Sequence, residues 1–471
     1  MRATRALLSP LVSLVSLVSW PAGPATAAFF PYEVHKRTLP NGLDVLVVET
    51  PEFRDVVNLN VLILAGSRNE VEKGRSGLAH LFEHIAFRHK FEDPTSSYRA
   101  RMEKLGAFDN AWTWFDVTYY HPVTFARDLE ELVEVQAERF VALDFSERIY
   151  RTEAGAVLGE YRRIASDPGL RMDEVLSDLA FGEQHGYGHT TMGYLADIET
   201  MPETFEAGRR FYETYYRPNN AVVIVTGDVR AAEVFPIVER RFGSWERREV
   251  PELPDPEPLD GPKRGHVDWP TQVAPRVLYA HRVTEFRPGE KESAVLTIIP
   301  ELIAGPTAPL YRKLRYETRI ATDMSTDRRS SQGFDARMLE TTVRIDRDRF
   351  EKEGASVIEQ AIDSLDEGLG ELRRFSQRDD AAATLDAVKA KLRYDLLATL
   401  DSPQDIAGTL AWYYRFDRDP RVLDRLVGSV EELRPEDVDA FAAKHFVPES
   451  RVVVTMTPAP EGETPADPPG R

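Results

Sequence analysis

Apolar residues recur along the chain with two periods, and the switches between them mark out the elements. "LPNGLDVLVVE" (39–49) reads as a strand, a turn at Asn41-Gly42 and a second strand, and "VVNLNVLILAGS" (56–67) as another. Apolar spacings of three and four in "DLEELVEVQAERFVAL" (128–143) and "RTEAGAVLGEYRRIA" (151–165) predict helices. "TFEAGRRFYETYYRPNNAVVIVTGDV" (204–229) gives a helix, a Pro-Asn-Asn turn and a buried strand. The stretch from 247 to 275, dense in proline and charge, has neither period and reads as a linker. Beyond it a strand (276–284) and helices (308–319, 355–375, 383–400) lead to "PEDVDAFAAKHFVPESRVVVTMTP" (435–458). That segment repeats the helix, turn and valine-rich strand that closed the first half. The duplication predicts an α+β fold of two homologous domains, 29–246 and 276–460, each a mostly antiparallel sheet packed with helices.

The ends fall outside that pattern. Residues 1–28 carry Arg2 and Arg5, an apolar run from Leu7 to Val18 and a small-residue "ATA" ending at Ala27, which is the layout of a cleavable secretory signal. No later stretch reads as long and apolar enough to span a bilayer. Residues 461–471 read as a disordered tail. Export, most simply to a bacterial periplasm, follows from the leader.

Composition narrows the chemistry. With 42% hydrophobic and 29% charged residues, 471 residues build folded domains. A net charge of −19 makes nucleic acid an unsuitable partner, because that binding is driven by basic surface. There is no cysteine. Disulfides and thiolate catalysis are therefore excluded, and a metal would have to be held by His, Asp or Glu.

"GLAHLFEHIAF" (77–87) offers such ligands. On a helix His80 and His84 lie one turn apart on one face, and Glu83, three beyond His80, leans to the same side. Two imidazoles can then hold one ion with a carboxylate beside it, as H-x-x-E-H does in reverse of H-E-x-x-H. A catalytic zinc takes three protein ligands, and Glu153 and Glu160, seven apart on one helical face, are both candidates for the third. "HGYGH" also spaces two histidines, His185 and His189, by four, but its glycines disfavour a helix, so a surface loop is expected. His89, five beyond His84, turns off the ligand face.

Taken together, "LPNGLDVLVVE", "AGSRNE", "GLAHLFEHIAF", "NAWTWFDVTYY", "TEAGAVLGE" and "YYRPNNAVVIVTGDV" resemble the pitrilysin or insulinase-like zinc metallopeptidases, over essentially the whole mature chain. The resemblance implies one Zn2+ per chain held by His80, His84 and Glu160, which lies 76 residues beyond the second histidine. It implies Glu83 as general base and Glu153 as a supporting residue. It further implies a zinc-dependent endopeptidase acting on short or unfolded peptides, with water activated by the metal and Glu83. "GAFDNAWTWFDVTYY" (106–120) takes the place of the family's active-site edge strand, which makes Asn110, Ala111, Trp112 and Thr113 expected substrate contacts.

One departure concerns the partner. The family commonly pairs an arginine with a tyrosine seven residues later in the second half. Arg315 matches the arginine, but position 322 is threonine. In the short-chain branch one subunit often brings the zinc motif and the other the Arg and Tyr. The expectation is therefore a heterodimer with a metal-less paralogue, a homodimer being the alternative. A non-catalytic scaffold or peptide-binding subunit of the same fold is the second functional reading. It fits less well, because such subunits typically lose motif residues that this chain retains.

Overall fold

The computed structural model describes residues 28–183, 185–328 and 337–459. The leader, apart from Ala28, and the expected tail lie outside the described residues. Within them the fold is α+β. The first sheet takes β1 (Val34–Thr38), β2 (Asp44–Glu49), β3 (Val56–Ile63), β4 (Ala111–Thr113), β5 (Thr118–Tyr120), β6 (Val123–Phe125) and β7 (Ala221–Gly227). They run in the order β1-β2-β7-β3-β5-β4, with β6 also paired to β3. Every residue of β7 is buried, as its unbroken apolar run requires of a strand with a neighbour on each side and layers on both faces. Among the described residues β4 ends the order and pairs only with β5, so one side of it is open there.

The second sheet takes β8 (Lys263–Trp269), β9 (Arg276–Arg282), β10 (Ala321–Arg328), β11 (Met338–Ile345) and β12 (Arg451–Pro458), in the order β10-β11-β9-β12-β8. β12 runs parallel to β8 and antiparallel to β9, as β7 runs parallel to β2 and antiparallel to β3. The repeat seen in the sequence thus has a counterpart in strand topology. It also corrects the linker, because β8 lies inside 247–275. Only Val267 of its seven residues is buried, so this edge strand carries no apolar alternation by which the sequence could announce it.

Six helices shape the site and its surroundings: α1 (Leu78–Ala86), α2 (Glu147–Ile164), α3 (Pro168–Phe181), α4 (Lys291–Ala304), α5 (Ala381–Ala398) and α6 (Pro403–Tyr414). α1 and α2 pack on one face of the first sheet. The opposite face is covered by the second half: Leu46, Leu62, Val222 and Ile224 share a core with Ile406 and Leu410 of α6. The reverse also holds. Met172 and Leu176 of α3 pack on Leu278 and Val454 of the second sheet, and a Cβ at Gly265 in β8 would stand 2.7 Å from Val175. Each half lends a helix to the other, so the two sheets are locked by apolar burial rather than joined by the linker alone.

The expectation about spanning segments also needs correction. Lys291–Glu317, which begins with α4, is long and apolar enough to cross a membrane by length and composition. Its apolar residues are instead spent on the core, where Val295, Ile298, Ile299 and Ile303 are buried. Periodicity could not reveal this helix, since it is apolar on nearly every side.

Two buried histidines set a pH limit on this half. Burial, reinforced by the neighbouring Arg451 charge, lowers the His281 pKa to about 3. Burial lowers His445 to about 4 against the opposing pull of Glu292. The unfolded chain binds these protons near pH 6.5 and the native state does not, so stability is full above pH 6.5 and is lost as pH falls towards the native values. Between pH 7 and 5 each should remove about 2 kcal/mol. Urea titrations at the two pH values check this; an unchanged midpoint would contradict it.

Candidate active site

α1 is capped by Gly77, whose φ of +89° is a left-handed conformation that favours glycine, and a Cβ there would lie 2.8 Å from the Met192 carbonyl oxygen. The free amides at the start of the helix are met by Glu70, whose two carboxylate oxygens accept from Gly77 N and Ala79 N at 2.6 Å each. Leu78, Leu81, Phe82 and Ile85 are buried in the core. That leaves His80, Glu83 and His84 on the side that meets α2.

Three ligand atoms converge there, one each from His80, His84 and Glu160, all within 4.8 Å of one another. His80 Nε2 and His84 Nε2 each stand 3.6 Å from the same Glu160 oxygen, Oε2. Those gaps exceed a normal hydrogen bond. They match the separation of about 3.3–3.6 Å between ligand atoms set tetrahedrally around zinc at ordinary bond lengths. Two imidazoles and a carboxylate are also a donor set that suits zinc and leaves a position open. The residues present therefore fit the ion.

Around these atoms each charge is steered. Glu153 is buried, its Oε1 accepting from Arg88 Nε at 2.8 Å and its Oε2 lying 3.5 Å from His84 Nδ1. Burial alone would raise its carboxyl pKa, but His84 and Arg88 outweigh it and hold the pKa low. Burial would lower His84, yet the Glu153 contact and the charges of Glu83, Glu153 and Glu160 raise it. His80 goes the other way: burial and then the neighbouring His84 bring it down to about 4, against Glu160. Its Nδ1 is buried without a hydrogen-bond partner among the described residues.

Glu83 accepts a 2.6 Å hydrogen bond on Oε2 from the Thr113 hydroxyl. Burial raises its carboxyl pKa, with the Thr113 bond opposing. Thr113 belongs to β4, so the open edge of the sheet runs beside the cluster. Its neighbours on the ladder show which backbone groups are free. His121 N bonds Asn110 O and Trp114 N bonds Val117 O, and in an antiparallel pair this alternation turns the amides and carbonyls of Ala111 and Thr113 away from β5. The Asn110 side chain takes up the Ala111 amide at 2.9 Å.

Other residues named from the sequence lie elsewhere. Arg315 sits in a helical turn, Lys313–Glu317, beside β10, and no hydrogen bond or ion pair joins it to the cluster among the described residues. The Thr322 hydroxyl bonds the Arg344 carbonyl at 3.3 Å. His185 and His189 require a correction: their segment forms no helix, but it is not a surface loop. Gly186 to Thr190 are buried, and His189 Nε2 stands 3.7 Å from Glu70. The aromatic rings of Tyr187 and Tyr194 pack there, so glycine content marked a tight crossing rather than exposure. His89 is buried away from the cluster and accepts from Asp144 N. Sequence reasoning missed Glu70 and Arg88. An acid seven residues before a helix-opening glycine was the available signal for the first; nothing local announced the second.

Comparison with known proteins agrees with the fold. Two family profiles match, "Insulinase (Peptidase family M16)" over residues 45–193 and "Peptidase M16 inactive domain" over residues 203–377. The chain belongs to the M16 peptidase family. The zinc protease PqqE of Helicobacter pylori is 26% identical over 437 residues, 89% of this chain and 92% of that one. The mitochondrial-processing peptidase subunit beta of Caenorhabditis elegans is 26% identical over 209 residues, 44% of each chain. Among solved structures, that of a protease from Helicobacter pylori superposes with a TM-score of 0.77 at 24% identity, over 91% of this chain and 100% of that one, a likeness of fold.

Proposed function

We propose that this chain is a zinc-dependent endopeptidase for short or unfolded peptides and the metal-bearing subunit of a dimer. The observation that carries the reading is the convergence of His80, His84 and Glu160 beside a Glu83 carboxylate held by the edge strand. His80, His84 and Glu160 would hold one zinc ion, which when bound acidifies water and polarises a carbonyl. A peptide laid along β4 pairs with the outward Ala111 carbonyl and with the Thr113 amide and carbonyl, the Ala111 amide being held by Asn110, a mode that fixes the main chain without reading side chains. Glu83 receives the proton of the attacking water on Oε1, the oxygen that Thr113 leaves free, and delivers it to the departing amine. A carboxylate so placed can take and return a proton within one turnover. Glu153 keeps the His84 ring aimed by holding Nδ1.

The dimer rests on what the second half lacks. A Thr322 hydroxyl bound to Arg344 is a poor donor for a developing oxyanion, and Arg315 is remote in contacts from the cluster. A paralogue bringing an Arg and Tyr pair would complete the site, and the leader at residues 1–28 would send this chain to the periplasm. The test is a quenched-peptide assay on the zinc-loaded chain alone and mixed with such a paralogue, alongside zinc content by mass spectrometry. Little hydrolysis alone and a rise of roughly 10²-fold or more with the partner is the expected result. Full activity alone would remove the partner from the scheme; zinc binding without hydrolysis in either state would favour the scaffold reading.

A further inference from the structure

The β4 edge has a second face, and it is not flat. Side chains alternate along a strand, so Ala111 and Thr113 face α1 and the zinc cluster while Trp112 faces the opposite side. There its ring meets Tyr119 at 4.9 Å and Trp412 of α6 at 5.8 Å. Beneath these rings lies an open cavity of about 540 Å³, walled on one side by Trp112, Tyr119 and His121 and on the other by Leu396 of α5 with Gly408 and Trp412 of α6. The two walls come from the two halves of the chain. A glycine in the middle of α6 weakens the helix, and this one keeps the cavity clear. A Cβ at Gly408 would meet only the Tyr119 hydroxyl, in ordinary contact at 3.6 Å. That hydroxyl is buried with no hydrogen-bond partner among the described residues.

A peptide paired to the outer edge of β4 must follow the same alternation. Residues opposite Ala111 and Thr113 direct their side chains to the metal face. The residue opposite Trp112 directs its side chain to the Trp112 face, since cross-strand neighbours share a face. We infer that this cavity is a specificity pocket for the peptide substrate, taking a bulky aromatic or branched apolar side chain from the residue that lies opposite Trp112. The inference rests on β4 receiving the peptide as an added strand, and it adds the side-chain class that is selected. Backbone pairing along β4 accepts any sequence, and the Trp112, Tyr119 and Trp412 rings supply the discrimination, through apolar and ring-on-ring contact. Because α6 forms half of the pocket, the second half takes part in substrate choice although its strands lie apart from the zinc cluster.

Binding measured without turnover tests this. Eight-residue peptides carrying one phenylalanine, walked through otherwise small residues, are titrated by fluorescence anisotropy against zinc-loaded Glu83→Gln protein, and the same peptides are offered to wild-type chain for cleavage. Phenylalanine should tighten binding about tenfold or more at the position opposite Trp112 and far less at its immediate neighbours. Gly408→Leu, whose side chain enters the cavity from a helix that leucine favours, should erase that gain. Gly408→Ala, which adds one methyl in ordinary contact, should reduce it, so the test survives if the larger variant folds poorly. A gain that is absent, or that persists in a folded Gly408→Leu protein, overturns the pocket. Cleavage without positional preference overturns the pocket and leaves the peptidase standing. Selective binding without cleavage, with or without a paralogue, retains the pocket and overturns the peptidase.

Discussion

Zinc-loaded Glu83→Gln protein is expected to keep its metal and to hydrolyse peptides roughly 10²- to 10⁴-fold more slowly than wild type, the usual worth of a positioned general base. The amide is the same shape as the carboxylate, so the Thr113 hydroxyl still finds an oxygen to bond and α1 is not disturbed. What is lost is the capacity to take a proton, which is the whole of the role assigned to Glu83. Zinc content and melting temperature should therefore match wild type while kcat collapses. Hydrolysis at the wild-type rate by a zinc-replete variant would assign the base elsewhere. A variant that failed to bind zinc would instead indicate that Glu83 helps hold the ion.

His80→Ala is expected to lose zinc and activity together. Its imidazole supplies one of the three ligand atoms that converge on the site among the described residues, and two remaining ligands do not make a catalytic zinc site. The affinity should fall at least about 10²-fold, beyond the 10- to 100-fold typical of residues that merely support a ligand. Equilibrium dialysis against a competing chelator gives the affinity, and a peptide assay at matched total zinc gives the rate. The fold should survive, because His80 lies off the apolar face of α1 and its Nδ1 makes no bond that would be missed. Retention of one zinc per chain would mean that Glu153 or another group can replace it.

Much of this arrangement was legible in the residue order. Spacing alone placed His80, Glu83 and His84 on one helical face, because a turn of α-helix is fixed by backbone geometry whatever surrounds it. Periodicity likewise marked β7, β12 and the helices before them, since both strands are buried along nearly their whole length. Between Glu153 and Glu160 spacing could not choose, as both lie on one face of α2. Proximity distinguishes them: Glu160 approaches both Nε2 atoms, while Glu153 approaches His84 Nδ1 from behind and is tied to Arg88.

Other features belonged to the tertiary structure alone. β8 was invisible because an edge strand with one buried side chain needs no apolar pattern, only a partner, and its partner β12 is nearly 190 residues away in the chain. The burial of "HGYGH" was hidden for a related reason: glycines permit a tight crossing as readily as an exposed loop, and the contacts that decide between them come from Glu70 and Tyr194. The Thr113 bond to Glu83 required β4 to be the edge of its sheet and α1 to lie across that edge. The exchange of α3 and α6 between the halves, and the aromatic cavity that α6 completes, required both domains to be folded against each other. By itself the sequence determined the local chemistry, two imidazoles and a carboxylate on one turn of helix. Which carboxylate approaches them, which strand runs alongside, and which side chains a bound peptide would meet were decided by long-range packing, where burial is satisfied by residues that no local period connects.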